Sequence, residues 1–333
     1  MKPIIAITIG DFNGIGPEIA LKAASHPTIR KMCEPVLVGP LAILDEMCKK
    51  LKVKQKLQKA ILPFSHSSFI TVLDVGDGIW ADVFFGKSTR ASGRNSAAAI
   101  EKAVDLCLNG QANAMVTSPV SKEALHLAGY HFPGLTEMIA VLSRSQKVAM
   151  MLVSNKLRVG LLTTHIPLSE VAQTLTKERI IDKVSTINNA LQQNFNVKKP
   201  VLAILSINPH SGEEGVIGKE EVEIMKPAIG TLIESGISIK GPFAADAFFG
   251  TNNYKKYDAT IAAYHDQGLI PLKMLSFRDS VNYSAGLKII RTSPGHGTAY
   301  DIAGKNSANI SSMFNSIKLA VEFIKNHKLT GNQ

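Results

Sequence analysis

The chain has 333 residues, of which 45% are hydrophobic and 19% are charged, and 37 Lys and Arg against 27 Asp and Glu give a net charge of +10. This composition is typical of a globular protein and excludes a disordered or collagen-like chain, and the length favours about two domains. No apolar run approaches the roughly 20 residues of a membrane helix, and the N-terminus lacks the pattern of a signal peptide.

Predicted strands and helices alternate along the chain. Apolar stretches predict strands at 4–9, 35–38, 114–116, 147–153, 157–162, 201–207 and 259–264, with a hairpin turn at 154–156. Apolar residues at helical spacing predict helices after Pro17, at 95–109 before Gly110, at 176–195 and at 311–325. This alternation predicts an α/β fold, in which two lobes share a central mixed, largely parallel sheet. We expect one lobe over 1–120 and 241–333 and the other over 121–240.

Cysteine usage and charge distribution indicate the setting. Cys33, Cys48 and Cys107 are widely spaced and form neither a disulfide framework nor a metal-binding pair, so we expect a reducing, cytoplasmic compartment. Because the basic residues are dispersed and only 6% of residues are aromatic, we expect no nucleic acid as a partner, and no membrane. A basic chain can also attract small anionic substrates.

Three histidines follow predicted strands. His165 follows VGLLTT, His210 follows VLAILSINP and His265 follows ATIAAY. In open α/β sheets, ligands bind beyond the carboxyl ends of the strands, and three imidazoles with one open position are an arrangement of catalytic zinc. We therefore predict a metal site, in which Asp266 orients His265 or joins the ligands. The alternative is that each histidine only hydrogen-bonds within its own loop.

Two further loops lie between a predicted strand and a helix. GDFNGIGPE, Gly10 to Glu18, could present backbone N–H groups to a phosphate or carboxylate, although it could equally be a tight turn. It is not the dinucleotide-binding GxGxxG pattern. In TSPVSKEAL, Ser121 could cap a helix whose first turn holds Lys122. A cation there opposes the helix dipole, which suggests a role with an anion or a proton, although Lys122 could simply be solvated.

The densest group of polar residues lies near the C-terminal end. Lys273, Asn282 and Arg291 are interspersed with glycines, and a Lys, an Arg and an amide suit a phosphate or a carboxylate. They could also be three independent surface residues.

At these residues the chain resembles a known family. Its motifs occur in order over nearly the whole chain: GDFNGIGPE, TSPVSK, FPGLTE, TTHIPL, NPHSGEEG, YHDQGLIPLK and RTSPGHGTAYDIAGK. They are similar to those of 4-hydroxythreonine-4-phosphate dehydrogenases, which act in pyridoxal phosphate (vitamin B6) biosynthesis. The family's fold is similar to isocitrate and isopropylmalate dehydrogenases. The resemblance implies a cofactor-binding lobe (1–120 and 241–333), a substrate and dimerisation lobe (121–240), and an active site at a homodimer interface.

The resemblance also implies a metal and a substrate site. The metal would be divalent, commonly zinc, with magnesium or cobalt as alternatives, and the partner subunit would help to complete a site at His165, His210 and His265. A small phosphorylated four-carbon hydroxy acid would contact five positions: Leu135, Thr136, Lys273, Asn282 and Arg291.

The implied cofactor is NAD or NADP. The GHGTAYDIAG stretch resembles the loop that holds the adenosine half of the cofactor in isopropylmalate dehydrogenases, which implies contacts at His296, Gly297, Thr298 and Asp301. The carboxylate of Asp301 would take the ribose hydroxyls and repel a 2′-phosphate, so we favour NAD.

Two positions depart from the family pattern. The family usually has GHTE where this chain has Gly134-Leu135-Thr136-Glu137. Leu135 cannot make the hydrogen bond that histidine would give, and a missing partner of this kind costs about 1–3 kcal/mol. The family also often has Asp at Gly295, a more variable position. Leu135 therefore leaves the identity of the substrate open.

The resemblance implies a specific reaction. The chain would oxidise 4-phosphooxy-L-threonine to 2-amino-3-oxo-4-phosphooxybutanoate, which loses CO₂ to give 3-amino-2-oxopropyl phosphate. The metal would acidify the substrate hydroxyl, a base would take the proton, and hydride would pass to the nicotinamide. Lys122 and Asp246 are the candidate catalytic proton carriers.

Three alternatives remain open. The first is a dehydrogenase of phosphorylated threonate or erythronate on the same scaffold, and the second is a metal-dependent hydrolase or lyase that uses the three histidines without a nicotinamide. The third is a binding protein without catalytic activity, which Leu135 favours and the intact histidines disfavour.

Overall fold

The structure is a computed structural model that describes residues 2–52, 56–64, 67–75 and 82–330. The chain divides into two compact units. Unit 1 consists of Met1–Arg144 and Leu287–Lys325, and unit 2 consists of Ser145–Gly286 and Asn326–Gln333.

The strands of the described residues are short, and five of them are buried along their whole length. In chain order they are β1 Ile4–Thr8, β2 Glu34–Gly39, β3 Leu57–Lys59, β4 Ile70–Asp74, β5 Ala114–Thr117, β6 Ala149–Val153, β7 Arg158–Leu161, β8 Val201–Leu205, β9 Ser238–Phe243, β10 Ala259–Ala262, β11 Val281–Ala285 and β12 Arg291–Pro294.

The α-helices alternate with these strands. They are α1 Gly16–Ser25, α2 Pro27–Met32, α3 Leu41–Leu51, α4 Arg90–Leu108, α5 Lys122–Leu127, α6 Leu135–Leu142, α7 Val171–Thr174, α8 Lys177–Gln193, α9 Lys226–Glu234, α10 Ala245–Gly250, α11 His265–Ser276 and α12 Ser311–Thr330. Within the described part of the chain, none of the helices is both long and apolar enough to cross a bilayer.

The strands of unit 1 are ordered β3-β4-β2-β1-β5-β12, and every neighbouring pair is parallel. Those of unit 2 are ordered β11-β6-β7-β10-β8-β9. There β6 runs antiparallel to β11 and β7, whereas β7, β10, β8 and β9 are parallel neighbours. The predicted α/β fold with a mixed, largely parallel sheet is confirmed, as is the hairpin between β6 and β7.

Local sequence explains where the main helices begin and end. Thr89 and Ser92 form a capping box at the start of α4, and Gly110 follows its end with a left-handed φ of 69°. Thr176 caps α8 by accepting a hydrogen bond from the backbone N–H of Arg179 at 3.2 Å. Helix α8 buries one apolar face, which includes Ile180, Val184, Ile187 and Leu191.

Each unit has its own apolar core. In unit 1, α4 contributes Ala99, Ile100 and Ala103 to a buried cluster with Met115 of β5. In unit 2, a cluster gathers Val159, Leu161, Ala203, Leu205 and Ala262 from three adjacent strands. Strands buried on both faces are typical of parallel sheets, and this burial explains why their sequences are continuous apolar runs.

The unit boundaries differ from the predicted lobes. Residues 121–144, expected with the second lobe, lie in unit 1, where α5 and α6 pack against α4. Residues 241–286, expected with the first lobe, lie in unit 2, where β10 pairs with β7 and β8 and β11 pairs with β6. The physical reason is strand order, because hydrogen-bonded neighbours in the sheet are not neighbours in the sequence.

Candidate active site

The three predicted metal-binding histidines follow three adjacent strands of unit 2. Strand β10 pairs in parallel with both β7 and β8, so the carboxyl ends of the three strands lie at the same edge of the sheet. His265 is the first residue of α11, which begins after two residues that follow β10, and His165 follows β7. His210 follows β8. The equivalent positions expected from the sequence are therefore present, at the edge where α/β folds bind ligands.

Two of these histidines lie together. The ring centroids of His165 and His265 are 5.9 Å apart, with an angle of 45° between the rings. His165 is exposed and the side chain of His265 is 35% exposed. Nδ1 of His265 lies 2.6 Å from Oδ1 of Asp266, a contact that makes Nε2 the nitrogen suited to a metal.

His210 lies on a turn of unusual backbone conformation. Residues 210–214 all have positive φ angles, including 51° at His210 and 56° at Ser211, and only one of the five is glycine. Left-handed backbone is unfavourable for residues with a side chain, and it persists where neighbouring contacts fix it. Oγ of Ser211 donates to the backbone oxygen of Pro242 at 2.9 Å. Within the described ranges, no three His, Cys, Asp or Glu side chains are grouped closely enough to hold a metal ion.

A buried carboxylate holds the start of this turn. Oε1 of Glu221 accepts the backbone N–H groups of Ile207 at 2.8 Å and Asn208 at 2.9 Å, and Oε2 accepts Nδ2 of Asn208 at 2.9 Å. Glu221 is completely buried. The loop after β8 is therefore anchored immediately before His210, a role for Glu221 that the sequence analysis did not identify.

Two polar side chains connect the segments that follow β7, β8 and β10, and neither was predicted from the sequence. Oγ1 of Thr163, after β7, donates to the backbone oxygen of Ala263, after β10, at 2.7 Å. Gln267 of α11 bonds to Ala263 and to Ser206, after β8. The only sequence signal was their position, since Thr163 lies two residues before His165 and Gln267 two residues after His265.

Unit 2 also contains three other predicted site residues. Lys273 is half-buried on α11, and Asn282 is half-buried on β11. Oδ1 of Asn282 is buried and accepts no hydrogen bond from the described residues, which is unusual for a buried amide and fits a ligand contact. Asp246 is exposed in the first turn of α10.

Arg291 lies in unit 1, at the start of β12, and is only 2% exposed. Its Nε and Nη2 donate to Oγ1 of Thr117 at 3.1 and 2.7 Å. Burial lowers the pKa of Arg291 to about 10, while the carboxylate of Glu137 acts in the opposite direction. The guanidinium remains charged at neutral pH, and it is held inside the unit rather than on its surface.

Two predicted substrate contacts, Leu135 and Thr136, and the predicted proton carrier Lys122 lie at the starts of two short helices of unit 1. Leu135 is the first residue of α6 and packs, half-buried, against the apolar cluster of this unit, and Thr136 follows it, buried. Lys122 is the exposed first residue of α5, whose N-cap Ser121 accepts the N–H of Ala124 at 3.2 Å. The predicted cap at Ser121 is confirmed.

The predicted cofactor residues follow β12. His296 and Thr298 are half-buried, and Gly297 and Asp301 are exposed. The backbone oxygen of Thr298 accepts the N–H of Ile15 at 3.0 Å, so this segment is tied to the loop after β1.

That loop, at residues 10–16, uses its amides within the protein. The N–H of Asp11 donates to the backbone oxygen of Pro119, and that of Ile15 donates to the backbone oxygen of Thr298. Asp11 itself accepts two more, because its side chain accepts the N–H of Asn13 and its backbone oxygen accepts the N–H of Gly14. These four N–H groups favour the interpretation of a tight turn over that of an anion cradle. The buried Asp11 also accepts Oγ of Ser92 at 3.2 Å, so it is a structural hub that the sequence did not reveal.

The donor chemistry fits the implied metal and cofactor. Imidazoles suit zinc and cobalt, and the carboxylate beside His265 is the partner that metal-binding histidines commonly have. Gly297 is exposed, and a Cβ atom built on it would contact nothing within 4 Å, so the backbone there is accessible to a nucleotide. The exposed carboxylate of Asp301 fits ribose hydroxyls.

Comparison with known proteins identifies the family. The family model described as "Pyridoxal phosphate biosynthetic protein PdxA" matches residues 31–320. The chain belongs to the PdxA family. The resemblance that the motifs indicated is therefore confirmed.

PdxA relatives and a solved structure are similar over almost their full length. Two such relatives are named 4-hydroxythreonine-4-phosphate dehydrogenase. That of Trichlorobacter lovleyi is 40% identical over 330 residues, which cover 96% of this chain and 97% of the relative. That of a Sulfurihydrogenibium species is 43% identical over 319 residues, which cover 95% of this chain and 97% of the relative. The crystal structure of the protein of that name from Klebsiella pneumoniae has a TM-score of 0.85, with 37% identity, and covers 97% of this chain and 98% of that one.

Proposed function

We propose that the chain is a 4-hydroxythreonine-4-phosphate dehydrogenase. It would oxidise 4-phosphooxy-L-threonine, with NAD or NADP, to 2-amino-3-oxo-4-phosphooxybutanoate, which decarboxylates to 3-amino-2-oxopropyl phosphate. The observation that carries this proposal is the position of His165, His210 and His265 after three adjacent parallel strands, in a chain of the PdxA family.

His165, His210 and His265 would hold the metal. Their imidazoles favour zinc, cobalt is an acceptable alternative, and magnesium fits less well because it prefers oxygen ligands. A bound divalent ion would supply Lewis acidity toward a substrate oxygen. Asp266 would keep the His265 ring in place through the contact at 2.6 Å.

The substrate residues divide by charge and burial. Lys273 is the cation suited to the phosphate, and Asn282 offers the buried Oδ1 as an acceptor for a hydroxyl or an ammonium group. Arg291 is paired with Thr117, and Thr136 is buried beside Leu135. We propose that Arg291 and Thr136 orient the substrate and that Leu135 leaves one polar contact unmade.

Proton transfer is assigned to exposed groups. Lys122 at the start of α5 and Asp246 in the first turn of α10 are both in contact with water, so either can exchange a proton after it has taken one from the substrate hydroxyl.

The cofactor site is proposed at His296, Gly297, Thr298 and Asp301. A bound nicotinamide would supply the hydride acceptor. Asp301 supports NAD over NADP, since an exposed carboxylate repels a 2′-phosphate.

A homodimer is proposed because the metal site is incomplete within the described part of one chain. Helix α11, which begins at His265, presents Ile270 and Met274, and Phe277 directly follows its end; the three are 57%, 82% and 72% exposed. These residues have the spacing of one helix face, and a second copy that covered them would lie beside His265. The three unpaired cysteines support the cytoplasm as the compartment.

The test is an assay of nicotinamide reduction by the purified chain with 4-phosphooxy-L-threonine, with and without a chelator. We expect reduction with NAD, loss after chelation and recovery with zinc. His210→Ala should lose both the metal and turnover, and unchanged metal content and turnover in this variant would refute the metal role.

Leu135 supports a second candidate, a dehydrogenase of phosphorylated threonate or erythronate, because the position of the usual histidine is apolar. The same assay with these acids decides between the two by their kcat/KM values. If none of the acids reduces NAD or NADP, a hydrolase or lyase, or a protein without catalytic activity, is favoured instead.

A further inference from the structure

Gln267 bridges the ends of two neighbouring strands in unit 2. Its Oε1 accepts the backbone N–H of Ala263, one residue after β10, at 2.7 Å. Its Nε2 donates to the backbone oxygen of Ser206, one residue after β8, at 2.6 Å. The oxygen and the nitrogen of one side-chain amide therefore bond to backbone segments that follow two different strands.

The bridge lies where the sheet ends. The pairing of β10 with β8 extends through Ile261 and Ile204. Beyond these residues, the segment after β10 continues into α11, and the segment after β8 continues into the turn at 210–214. A neutral amide carries its acceptor and its donor on two separate atoms, so it can bond to both sides of this gap, whereas an aliphatic side chain offers neither.

The two bridged segments carry two of the proposed metal ligands. His265 lies between Ala263 and Gln267, and His210 follows Ser206 on the left-handed turn. His210 lies four residues after Ser206, at the start of the left-handed turn. Gln267 thereby links the backbone before His210 to the backbone at His265.

We propose that Gln267 is a positioning residue, which fixes the segment that begins at Ser206 relative to His265 and so sets the geometry of the metal ligands. This inference rests on the proposed function, since it assumes that the histidines hold a metal. It assigns Gln267 no contact with the metal or the substrate.

A purely structural role would predict a different result. Loss of the two hydrogen bonds would then lower stability, whereas the folded protein would bind zinc as before. A positioning role predicts weaker zinc binding by protein that is fully folded, because loss of a residue that orients metal ligands lowers metal affinity about 10–100-fold.

The experiment measures zinc affinity in the metal-stripped full chain, by competition with a chromogenic chelator at a temperature where circular dichroism shows that each variant is folded. Gln267→Leu should bind zinc at least about tenfold more weakly, and its Co²⁺ complex should have a changed visible spectrum. Gln192→Leu is the matched control, since Gln192 is exposed near the end of α8, and it should match the wild type.

Further variants separate the two proposals. If the wild type binds no zinc, or if His265→Ala binds it as well as the wild type, the metal site itself is wrong. If His265→Ala loses zinc but folded Gln267→Leu retains wild-type affinity and spectrum, the positioning role is wrong. Should Gln267→Leu not fold, Gln267→Asn decides the question, because its neutral amide is one methylene too short to span both strands.

Discussion

The hydroxyl of Tyr300 donates a hydrogen bond of 2.8 Å to Oδ2 of the buried Asp11. Asp11 follows β1, and Tyr300 immediately precedes Asp301, the residue proposed to hold the cofactor ribose. With the bond from Ile15 to Thr298, this contact ties the proposed cofactor segment to the core of unit 1. It connects two parts of the chain that are distant in sequence.

Tyr300→Phe removes the hydroxyl, and with it both this bond and the contact of 3.1 Å with Oγ of Ser88. We expect the free energy of unfolding to fall by about 1–3 kcal/mol, because a buried carboxylate oxygen loses a partner. The KM for NAD should rise, while KM for the phosphorylated acid should change less. Urea unfolding and steady-state kinetics measure the two effects.

Tyr257→Phe is the control for this variant. Tyr257 is half-buried against Phe243 and Phe248, and its hydroxyl bonds to none of the described residues. Its loss should change stability by less than about 0.5 kcal/mol. Equal effects of the two substitutions would contradict a specific role for the bond between Tyr300 and Asp11.

Asp11 should give stability a particular pH dependence. Burial raises the pKa of Asp11 above its ordinary value of 3.8, although bonds from Asn13, Tyr300 and Ser92 act in the opposite direction. Because the folded state binds this proton more tightly, the stability that Asp11 contributes is complete below the unfolded pKa and is lost as the pH rises through the folded pKa.

The comparison that isolates this effect is between the wild type and Asp11→Asn, which does not titrate. The free energy of unfolding of the wild type should increase relative to that of the variant between about pH 7 and about pH 4. Asp105→Asn, at an exposed position, should not reproduce the slope. If the difference in unfolding free energy between the wild type and Asp11→Asn is constant with pH, or has the opposite slope, the effect of burial on the pKa of Asp11 does not exceed that of its hydrogen bonds.

Leu135→His restores the residue that the family usually has. The imidazole would supply a hydrogen bond worth about 1.4 kcal/mol, so kcat/KM for 4-phosphooxy-L-threonine should rise about tenfold. Leu127→His, at the exposed end of α5, should leave kcat/KM unchanged. If Leu135→His lowers turnover of the aminated acid and of the sugar acids alike, Leu135 has a packing role instead.

The sequence allowed prediction of the elements that local pattern controls. The apolar runs identified β7, β8 and β10, and the polar residues after them identified His165, His210 and His265, because the carboxyl ends of parallel strands share one edge. The N-cap of α5 at Ser121 was predictable from the preference of helix starts for serine.

Long-range contacts could not be predicted in the same way. The bridge from Gln267 to Ser206 depends on β8 and β10 being neighbours, although they are separated by β9 in the sequence. The left-handed turn after β8 includes His210, Ser211, Glu213 and Glu214, residues whose own preferences are against this conformation. Strand order also determines which segments belong to each unit, and for that reason the boundaries of the predicted lobes differ from those of the units.

Gly93→Ala tests the close contact that positions α5. Gly93 lies inside α4, where alanine would ordinarily stabilise a helix by about 1 kcal/mol. A Cβ atom at this position would overlap the backbone oxygen and carbon of Ala124 in α5, and backbone atoms cannot rotate away. We therefore expect a net loss of about 1–3 kcal/mol in unfolding free energy, as for an overpacked core.

Gly230→Ala is the matched control, because Gly230 lies in α9 and a Cβ atom there would meet nothing within 4 Å. It should stabilise the protein by about 0.5–1 kcal/mol, the opposite sign. Because α5 begins at Lys122, Gly93→Ala should also lower kcat while Gly230→Ala leaves it unchanged. If both alanines stabilise the chain equally, the contact between α4 and α5 is looser than the structure has it, and α5 does not depend on Gly93 for its position.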